Sequence, residues 1–273
     1  MTATNVSSTR AVIAPLRWFL GVAAVLAVIA GIELFVGASE TDRFFSWTID
    51  PPLTAAFLGA AYWAAAVLLG WAASQERWVL ARTAIPPVMT IAVLLLGATL
   101  AHVDKFDFDS VFGWFWLVVY IVVTPLLVYL LWRQPSGTAA HGPSIATWAR
   151  AVLALQAAVM VAMGVALLIA PLSAGDAWPW ELTPLTGRAI GAFLCGFGVA
   201  AAFAIRENDL HRLRGCALAY GALGALELLA LALHRDDFAS GDASGIAYDA
   251  VVASVLVVGL YGATAASASS TSR

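Results

Sequence analysis

Charged residues are scarce in this chain. Lys, Arg, Asp and Glu together make up 11% of its 273 residues, whereas a soluble domain carries roughly a quarter. Hydrophobic residues make up 62%, and the mean hydropathy is +0.87. This composition excludes an ordinary soluble domain and predicts a protein that lies within a lipid bilayer.

Other absences narrow the function classes further. Cys195 and Cys216 are the only cysteines, and both fall in or beside apolar stretches, which argues against a structural disulfide. Lys105 is the only lysine among 14 basic residues, and no charged segment of the chain suits nucleic acid. The chain has no glycine-rich phosphate loop, no Cys-x-x-Cys pair and no Ser/His/Asp order typical of a hydrolase.

Eight apolar stretches are long enough, or nearly so, to cross about 30 Å of hydrocarbon as helices. Helices are the expected form because lipid offers backbone groups no other partner. The sequence therefore predicts an all-α polytopic membrane protein with eight transmembrane helices and the lipid bilayer as its partner. The stretches are Leu16–Ala38, Thr54–Ser74, Thr83–Val103, Phe112–Trp132, Ala151–Ala170, Ala189–Ile205, Cys216–Leu233 and Tyr248–Ala266.

The chain contains an internal repeat. Residues recur at a fixed offset of 133, which becomes 132 after a one-residue deletion, and such a period is typical of duplication. Four spans per unit is an even number, so we predict two tandem four-helix repeats in parallel orientation, related by a pseudo-twofold axis along the membrane normal. The matches include Arg17/Arg150, Gly31/Gly164, Trp47/Trp180, Pro51/Pro184, Thr54/Thr186, Gly59/Gly191, Arg82/Arg214, His102/His234, Asp104/Asp236 and Phe106/Phe238.

The repeat divides the chain into five segments. Residues 15–134 form the first four-helix repeat and residues 148–266 the second. A Pro/Gly/Ser-bearing linker, residues 135–147, joins them on the cytoplasmic side. Residues 1–14 and 267–273 are rich in Ser, Thr and Ala, and this composition predicts a disordered cytoplasmic N-terminus and a cytoplasmic tail.

Arginine predicts the orientation. With the N-terminus inside, 10 of the 14 basic residues lie in cytoplasmic segments, and the other 4 (Arg43, Lys105, Arg188 and Arg235) lie in outer ones. Positive charge concentrates on the cytoplasmic side of membrane proteins. We therefore predict a multi-pass protein of a bacterial inner (plasma) membrane with both termini in the cytoplasm.

A short polar motif ends the third span and its repeat partner. His102 and Asp104 are matched by His234 and Asp236, each in a His-x-Asp-x-Phe sequence at the outer face. Imidazole and carboxylate groups suit a divalent metal such as zinc, and they also suit acid–base chemistry. The alternative is structural, because polar residues are expected wherever a helix ends in the headgroup region.

Two carboxylates lie inside predicted spans. Glu33 is five residues before the end of the first span, and Glu227 is seven residues before His234, so both lie roughly 7–11 Å below the outer surface. Acids within a membrane are costly and suggest function. The repeat does not preserve them, since Glu33 aligns with Ala166 and Glu227 with Leu95. We predict that they form one asymmetric site for a proton or a cation.

The stretch from Trp178 to Ala192, with sequence WPWELTPLTGRAIGA, covers an outer loop and the start of the next helix. It resembles a segment of uncharacterised polytopic integral membrane proteins of GC-rich, actinobacteria-like bacteria. The resemblance implies a multi-span membrane location and no particular activity.

Three functions follow as hypotheses. The first is a transporter or channel-like protein with an outer-leaflet cation or proton site between the repeats, formed by Glu33 and Glu227, because many carriers are paired repeats. The second is a non-catalytic accessory or scaffold subunit with unknown protein partners, which needs no site. The third, less favoured because no catalytic motif supports it, is a membrane enzyme with an outward metal site at His102, Asp104, His234 and Asp236.

Overall fold

The computed structural model describes residues 10–137 and 141–271, with side chains described as far as residue 267. Eight helices in this part are long and apolar enough to cross a membrane, and no residue described forms a strand. The predicted all-α polytopic fold is confirmed. The helices are α1 Ala14–Val36, α2 Pro52–Ser74, α3 Trp78–Ala101, α4 Val111–Arg133, α5 Thr147–Ile169, α6 Pro184–Glu207, α7 Arg214–Leu233 and α8 Ala243–Ser267.

Helices α2 and α6 form the centre of the molecule. In the most apolar 18-residue stretch of each helix, 78% of residues are buried in α2 and 72% in α6. The corresponding share in the other six helices is 28–44%. Helix α1 packs along α2, and α5 packs along α6. Helices α3 and α7 cross over, since α3 packs on α6 and α7 packs on α2. The first four helices and the last four therefore make the same kinds of contact, and the crossed pairs hold the two halves together.

Glycines allow the close approach of neighbouring helices at matched positions. A Cβ atom on Gly31 would lie 2.1 Å from the Trp63 ring, and one on Gly164 would lie 2.7 Å from the Cys195 sulfur. Real side chains do not approach so closely, so a larger residue at either position would force its neighbour to move. The offset of 133 relates Gly31 to Gly164, and each sits where the first helix of its half meets the second.

Two central helices start with side-chain caps. Thr183 and Thr186 form a reciprocal capping box at the start of α6, and Pro184 occupies the first turn, where no amide partner is needed. At the start of α2, the amide of Leu53 donates to the Asp237 carboxylate from the other half of the chain, at 3.2 Å. The cap on α2 thus also joins the two halves.

The segments outside the two helical halves are partly described. Within the predicted disordered N-terminus, residues 1–9 lie outside the described residues, while Arg10 and Val12 exchange backbone hydrogen bonds with Trp78 and Glu76 at 2.9 and 2.8 Å. Residues 138–140 of the predicted linker lie outside it too. In the predicted tail the last helix continues to Thr271, and residues 272–273 are not described.

Candidate functional site

A cavity of about 130 Å³ lies between α5 and α8, with α6 and α7 behind it. It is on the side of the membrane where the α5–α6 loop lies, which the arginine distribution predicts to be the outer side. Val159 on α5 is 43% exposed and Ala247 on α8 is exposed, so the cavity opens sideways toward lipid. Its lining is almost wholly apolar and includes Phe57, Met160, Met163, Trp178, Leu194 and Phe197.

Glu227 is the acid in this cavity. The residue is 2% exposed, and its Oε2 accepts a hydrogen bond of 2.9 Å from the Tyr248 hydroxyl on α8. Its other oxygen, Oε1, is buried with no hydrogen-bond partner in the described part of the chain. An ionised carboxylate without a counter-ion is expensive in such surroundings. The carboxyl must therefore carry a proton or meet a cation.

Tyr248 is held by three aromatic rings above the cavity, with which it forms a cluster of four. Ring centroids are 5.6 Å apart for Trp178–Tyr248, 5.2 Å for Trp180–Tyr248, 5.1 Å for Trp178–Trp180 and 6.4 Å for Trp180–Phe238. Trp180 is fixed in turn, because its Nε1 donates to Thr54 Oγ1 at 2.9 Å. Tyr248 is therefore positioned firmly against Glu227.

The first half contains an equivalent aromatic cluster. Phe45, Trp47, Phe106 and Trp116 precede the four rings of the second half by 133, 133, 132 and 132 positions. The same four pairs are in contact, at 4.7–5.2 Å. The backbone agrees, since the amide of Asp107 donates to the Ser46 carbonyl and that of Ala239 to the Pro179 carbonyl, both at 3.1 Å. This register allows the two halves to be compared residue by residue.

The comparison explains the cavity. At an offset of 132, Leu194, Ser244, Ala247 and Val252 around the cavity correspond to Tyr62, Phe112, Phe115 and Tyr120 in the first half. Tyr62 and Tyr120 are buried there and their hydroxyls are 2.6 Å apart. The smaller side chains of the second half leave open the space that aromatic rings occupy in the first. Leu95 stands at the position of Glu227, so the acid and the space occur together.

A polar cleft of about 590 Å³ lies beside the cavity, on the side of the α5–α6 loop. The two share Trp178, Pro179 and Ser244. Three carboxylates line the cleft: Asp176, Glu181 and Asp242. The indole Nε1 of Trp178, at the boundary, is buried without a partner among the residues described. A cation approaching from water would meet negative charge before it reached the boundary with the cavity.

Glu33 lies apart from this site. It sits in the π-helical last turn of α1 and is half-buried. Among the described residues, neither a hydrogen bond nor an electrostatic interaction joins Glu33 to Glu227. The cavity lining belongs to the second half except for Phe57 of α2, and Glu33 is not part of it. The structure thus gives the two predicted carboxylates separate surroundings.

The predicted His/Asp motifs do not gather into a cluster. No group of three or more His, Cys, Asp and Glu side chains suited to a metal occurs in the part of the chain that the structure describes. Asp104 pairs with Lys105 at 3.4 Å, and Asp104 and Asp236 are exposed. His102 and His234 cap the last turns of α3 and α7. The metal site stays a prediction.

His102 has a partner that the sequence did not reveal. Its Nε2 is 2.7 Å from Nη1 of Arg188, which also donates from Nε to the Leu168 carbonyl at 3.1 Å. Partial burial, and then the guanidinium of Arg188, lower the pKa of His102 below its ordinary value. A neutral ring accepts the hydrogen bond from Arg188, so this pair is a contact between the halves.

The opposite membrane face carries a buried ion-pair cluster. Glu207 at the end of α6 accepts from Arg82 Nη2 at 2.7 and 2.8 Å, and it also pairs with Arg212. Arg212 pairs with Asp209 at 3.0 Å, and Asp209 accepts from the Gly142 amide at 2.7 Å. This cluster connects the two halves and the linker. Sequence reasoning matched Arg82 with Arg214 but did not find the carboxylate partner.

No protein-family model, curated protein or solved structure matches the chain. Its own geometry is therefore the basis for assigning a function.

Proposed function

We propose that the protein binds a small lipophilic cation at Glu227, in the cavity between α5 and α8. The observation that carries this proposal is the unpartnered Oε1 of a carboxyl that is 2% exposed and faces an apolar cavity open to lipid. A cation supplies what this oxygen lacks, since paired charge is the usual state of a carboxylate at such depth.

The lining supports an amphiphilic ligand. Aromatic faces attract cations, and Phe57, Phe197, Trp178 and Tyr248 are all at the cavity wall. Met160 and Met163 add flexible, polarisable side chains that adapt to ligand shape. Apolar pockets with a single placed polar group are typical of small-molecule sites. The expected ligand has an apolar or aromatic body and one positively charged head.

The surroundings support access from the outer face. The polar cleft carries Asp176, Glu181 and Asp242 next to the boundary residue Trp178, and a concentration of one charge sign raises the local concentration of the opposite ion.

In this proposal the chain is an inner-membrane protein with both termini in the cytoplasm. Its duplication would supply the scaffold, and the second half would have lost aromatic volume and gained Glu227.

The direct test is binding of radiolabelled benzyltrimethylammonium, a permanently charged aromatic cation, to the protein in lipid nanodiscs. We expect saturable binding that Glu227→Gln weakens at least about tenfold, since one partner of a desolvated charge pair is lost. Glu33→Gln is the matched control, because it neutralises the other intramembrane acid predicted in the outer leaflet. The affinity of this variant for the cation should stay within about twofold of that of the unmodified protein.

Neopentylbenzene, which has the same shape without the charge, separates electrostatic from apolar recognition. Neopentylbenzene should compete poorly with radiolabelled benzyltrimethylammonium for the Glu227 site. Absence of saturable cation binding, unchanged binding by Glu227→Gln, or equal losses in both variants would each refute the proposed site.

A further inference from the structure

A second cavity lies in line with the first along the same pair of helices. It measures about 40 Å³, and its lining includes Leu153 on α5, Val258 and Tyr261 on α8, and Tyr220 on α7. The first cavity begins at Val159 on α5 and ends at Val255 on α8. The second therefore continues the line toward the opposite membrane face. We call the line of contact between α5 and α8 the seam.

One hydrogen bond crosses the seam between the two cavities. Gln156 lies midway between Leu153 of the second cavity and Val159 of the first, and Ser254 is next to Val255, the last α8 residue that lines the first cavity. Nε2 of Gln156 donates to Ser254 Oγ at 2.8 Å. From Leu153 to Val159 the helix rises about 9 Å, and Gln156 lies in this stretch of α5 between the two cavities.

Gln156 has a free acceptor at this point. The residue is 3% exposed, and its Oε1 is buried without a hydrogen-bond partner among the described residues. An unpaired amide oxygen in an apolar interior is costly. In the first half the equivalent positions hold Ala23 and Val122, so the polar pair occurs in the half that has the cavity.

The packing of the second half makes the seam the line along which it can open. Helix α5 packs extensively on α6 and α8 on α7, whereas α5 and α8 touch each other much less. At the far end, Tyr261 closes the second cavity: its hydroxyl accepts from the Ala146 amide at 3.0 Å, and its ring packs against Trp148 at 4.9 Å. Separation of α5 from α8 breaks these few contacts and leaves the main helix pairs intact.

We infer that the cation bound at Glu227 crosses the membrane along the seam, with Gln156 Oε1 as its polar partner midway. The protein is then a carrier rather than a binding protein alone. This inference rests on the proposed function, since it takes the ligand from the Glu227 site. The path runs from the polar cleft past Trp178 to Glu227, then past Gln156 and the second cavity to Tyr261.

The experiment measures binding and movement separately. Binding of radiolabelled benzyltrimethylammonium is measured in nanodiscs, and its uptake is measured in proteoliposomes with an inside-negative membrane potential. Gln156→Leu, and Gln156→Ala as in the first half, should bind within about twofold of the unmodified protein. Their initial uptake rates should fall at least about tenfold, because the acceptor midway is lost.

Thr124→Val is the matched control. Thr124 on α4 is 8% exposed with its hydroxyl buried and unpartnered in the described structure, but it lies in the first half, away from the seam. Its removal should change neither binding nor uptake. Normal or faster uptake by the Gln156 variants, or loss of binding in both of them, would overturn the role of Gln156.

The two proposals fail differently. Binding by the unmodified protein without uptake above that of protein-free liposomes would overturn the route and leave the Glu227 site standing. Absence of saturable binding would refute the site itself.

Discussion

Glu207→Gln should destabilise the protein strongly, because Glu207 anchors the ion-pair cluster that joins the two halves. The side chain is 6% exposed and pairs with Arg82 and Arg212, whose side chains are 31% and 5% exposed. The substitution keeps the shape and removes the charge. Arg212 retains Asp209 at 3.0 Å, whereas the described structure shows no second carboxylate within salt-bridge distance of Arg82.

The magnitude follows from this difference. Loss of one partner of a buried ion pair costs about 3–5 kcal/mol. Because Arg82 is partly exposed and water can solvate it, we expect the lower end of this range, about 3 kcal/mol. For a chain of this length, 1 kcal/mol corresponds to about 2–4 °C in Tm, so Tm should fall by about 6–12 °C.

Intrinsic tryptophan fluorescence during a thermal ramp in detergent measures Tm. Glu40→Gln is the control, since Glu40 and Arg43 form a 3.1 Å pair whose side chains are 54% and 66% exposed. Exposed pairs contribute less than about 1 kcal/mol, so this variant should shift Tm by no more than about 4 °C. Equal shifts in the two variants would refute the assignment of Glu207 as a connection between the halves.

Two further predictions concern contacts between the halves on the side of the α5–α6 loop. Because the pKa of His102 is lowered in the folded protein, the unfolded chain binds the proton more readily, and stability should decline as pH falls below about 6.5. Tm measured from pH 8 to pH 5 should fall less steeply in His102→Gln, and parallel curves would contradict the His102–Arg188 contact. Trp180→Phe removes the 2.9 Å hydrogen bond from the Trp180 indole to the hydroxyl of Thr54, a residue that is 0% exposed. Because the buried hydroxyl loses its partner, Tm should fall by about 2–4 °C. Trp114→Phe, at a position 55% exposed, should have a smaller effect, and equal effects would contradict the prediction.

Hydropathy predicted the number and order of the helices, but it placed several helix starts too late. The third apolar stretch begins at Thr83, whereas α3 begins at Trp78. The sixth begins at Ala189, whereas α6 begins at Pro184. Arg82 and Arg188 interrupt the apolar runs, and each is the fifth residue of its helix. Polar residues near a helix start cap it or reach the headgroups, so an apolar run underestimates helix length.

The candidate site was only partly predictable. Glu227 stood out in the sequence because a carboxylate within a span is costly. Its pairing with Glu33 rested on equal depth, and depth alone does not determine which helix faces which. The cavity depends on side-chain volume at positions from five helices. Comparison of Ser244, Ala247 and Val252 with the aromatic residues 132 positions earlier would have shown the lost volume, but it needed the register of the last helix.

The ion-pair cluster and the seam could not be predicted for a related reason. Arg82 and Glu207 are 125 residues apart and meet because α3 packs on α6 of the other half. Gln156 and Ser254 meet across α5 and α8 in the same way. The repeat indicates that equivalent helices make equivalent contacts, but it does not show that the third helix of each half crosses to the other.

Chemical labelling of Glu227 tests the central claim most directly. Dicyclohexylcarbodiimide is an apolar reagent that modifies protonated carboxyl groups within membranes, and mass spectrometry identifies the modified peptide. In nanodiscs the reagent should enter from lipid through the opening at Val159 and Ala247 and modify Glu227. Excess benzyltrimethylammonium should slow this modification. An unmodified Glu227 beside a modified Glu33, or a labelling rate at Glu227 that the cation leaves unchanged, would contradict a cation site in this cavity.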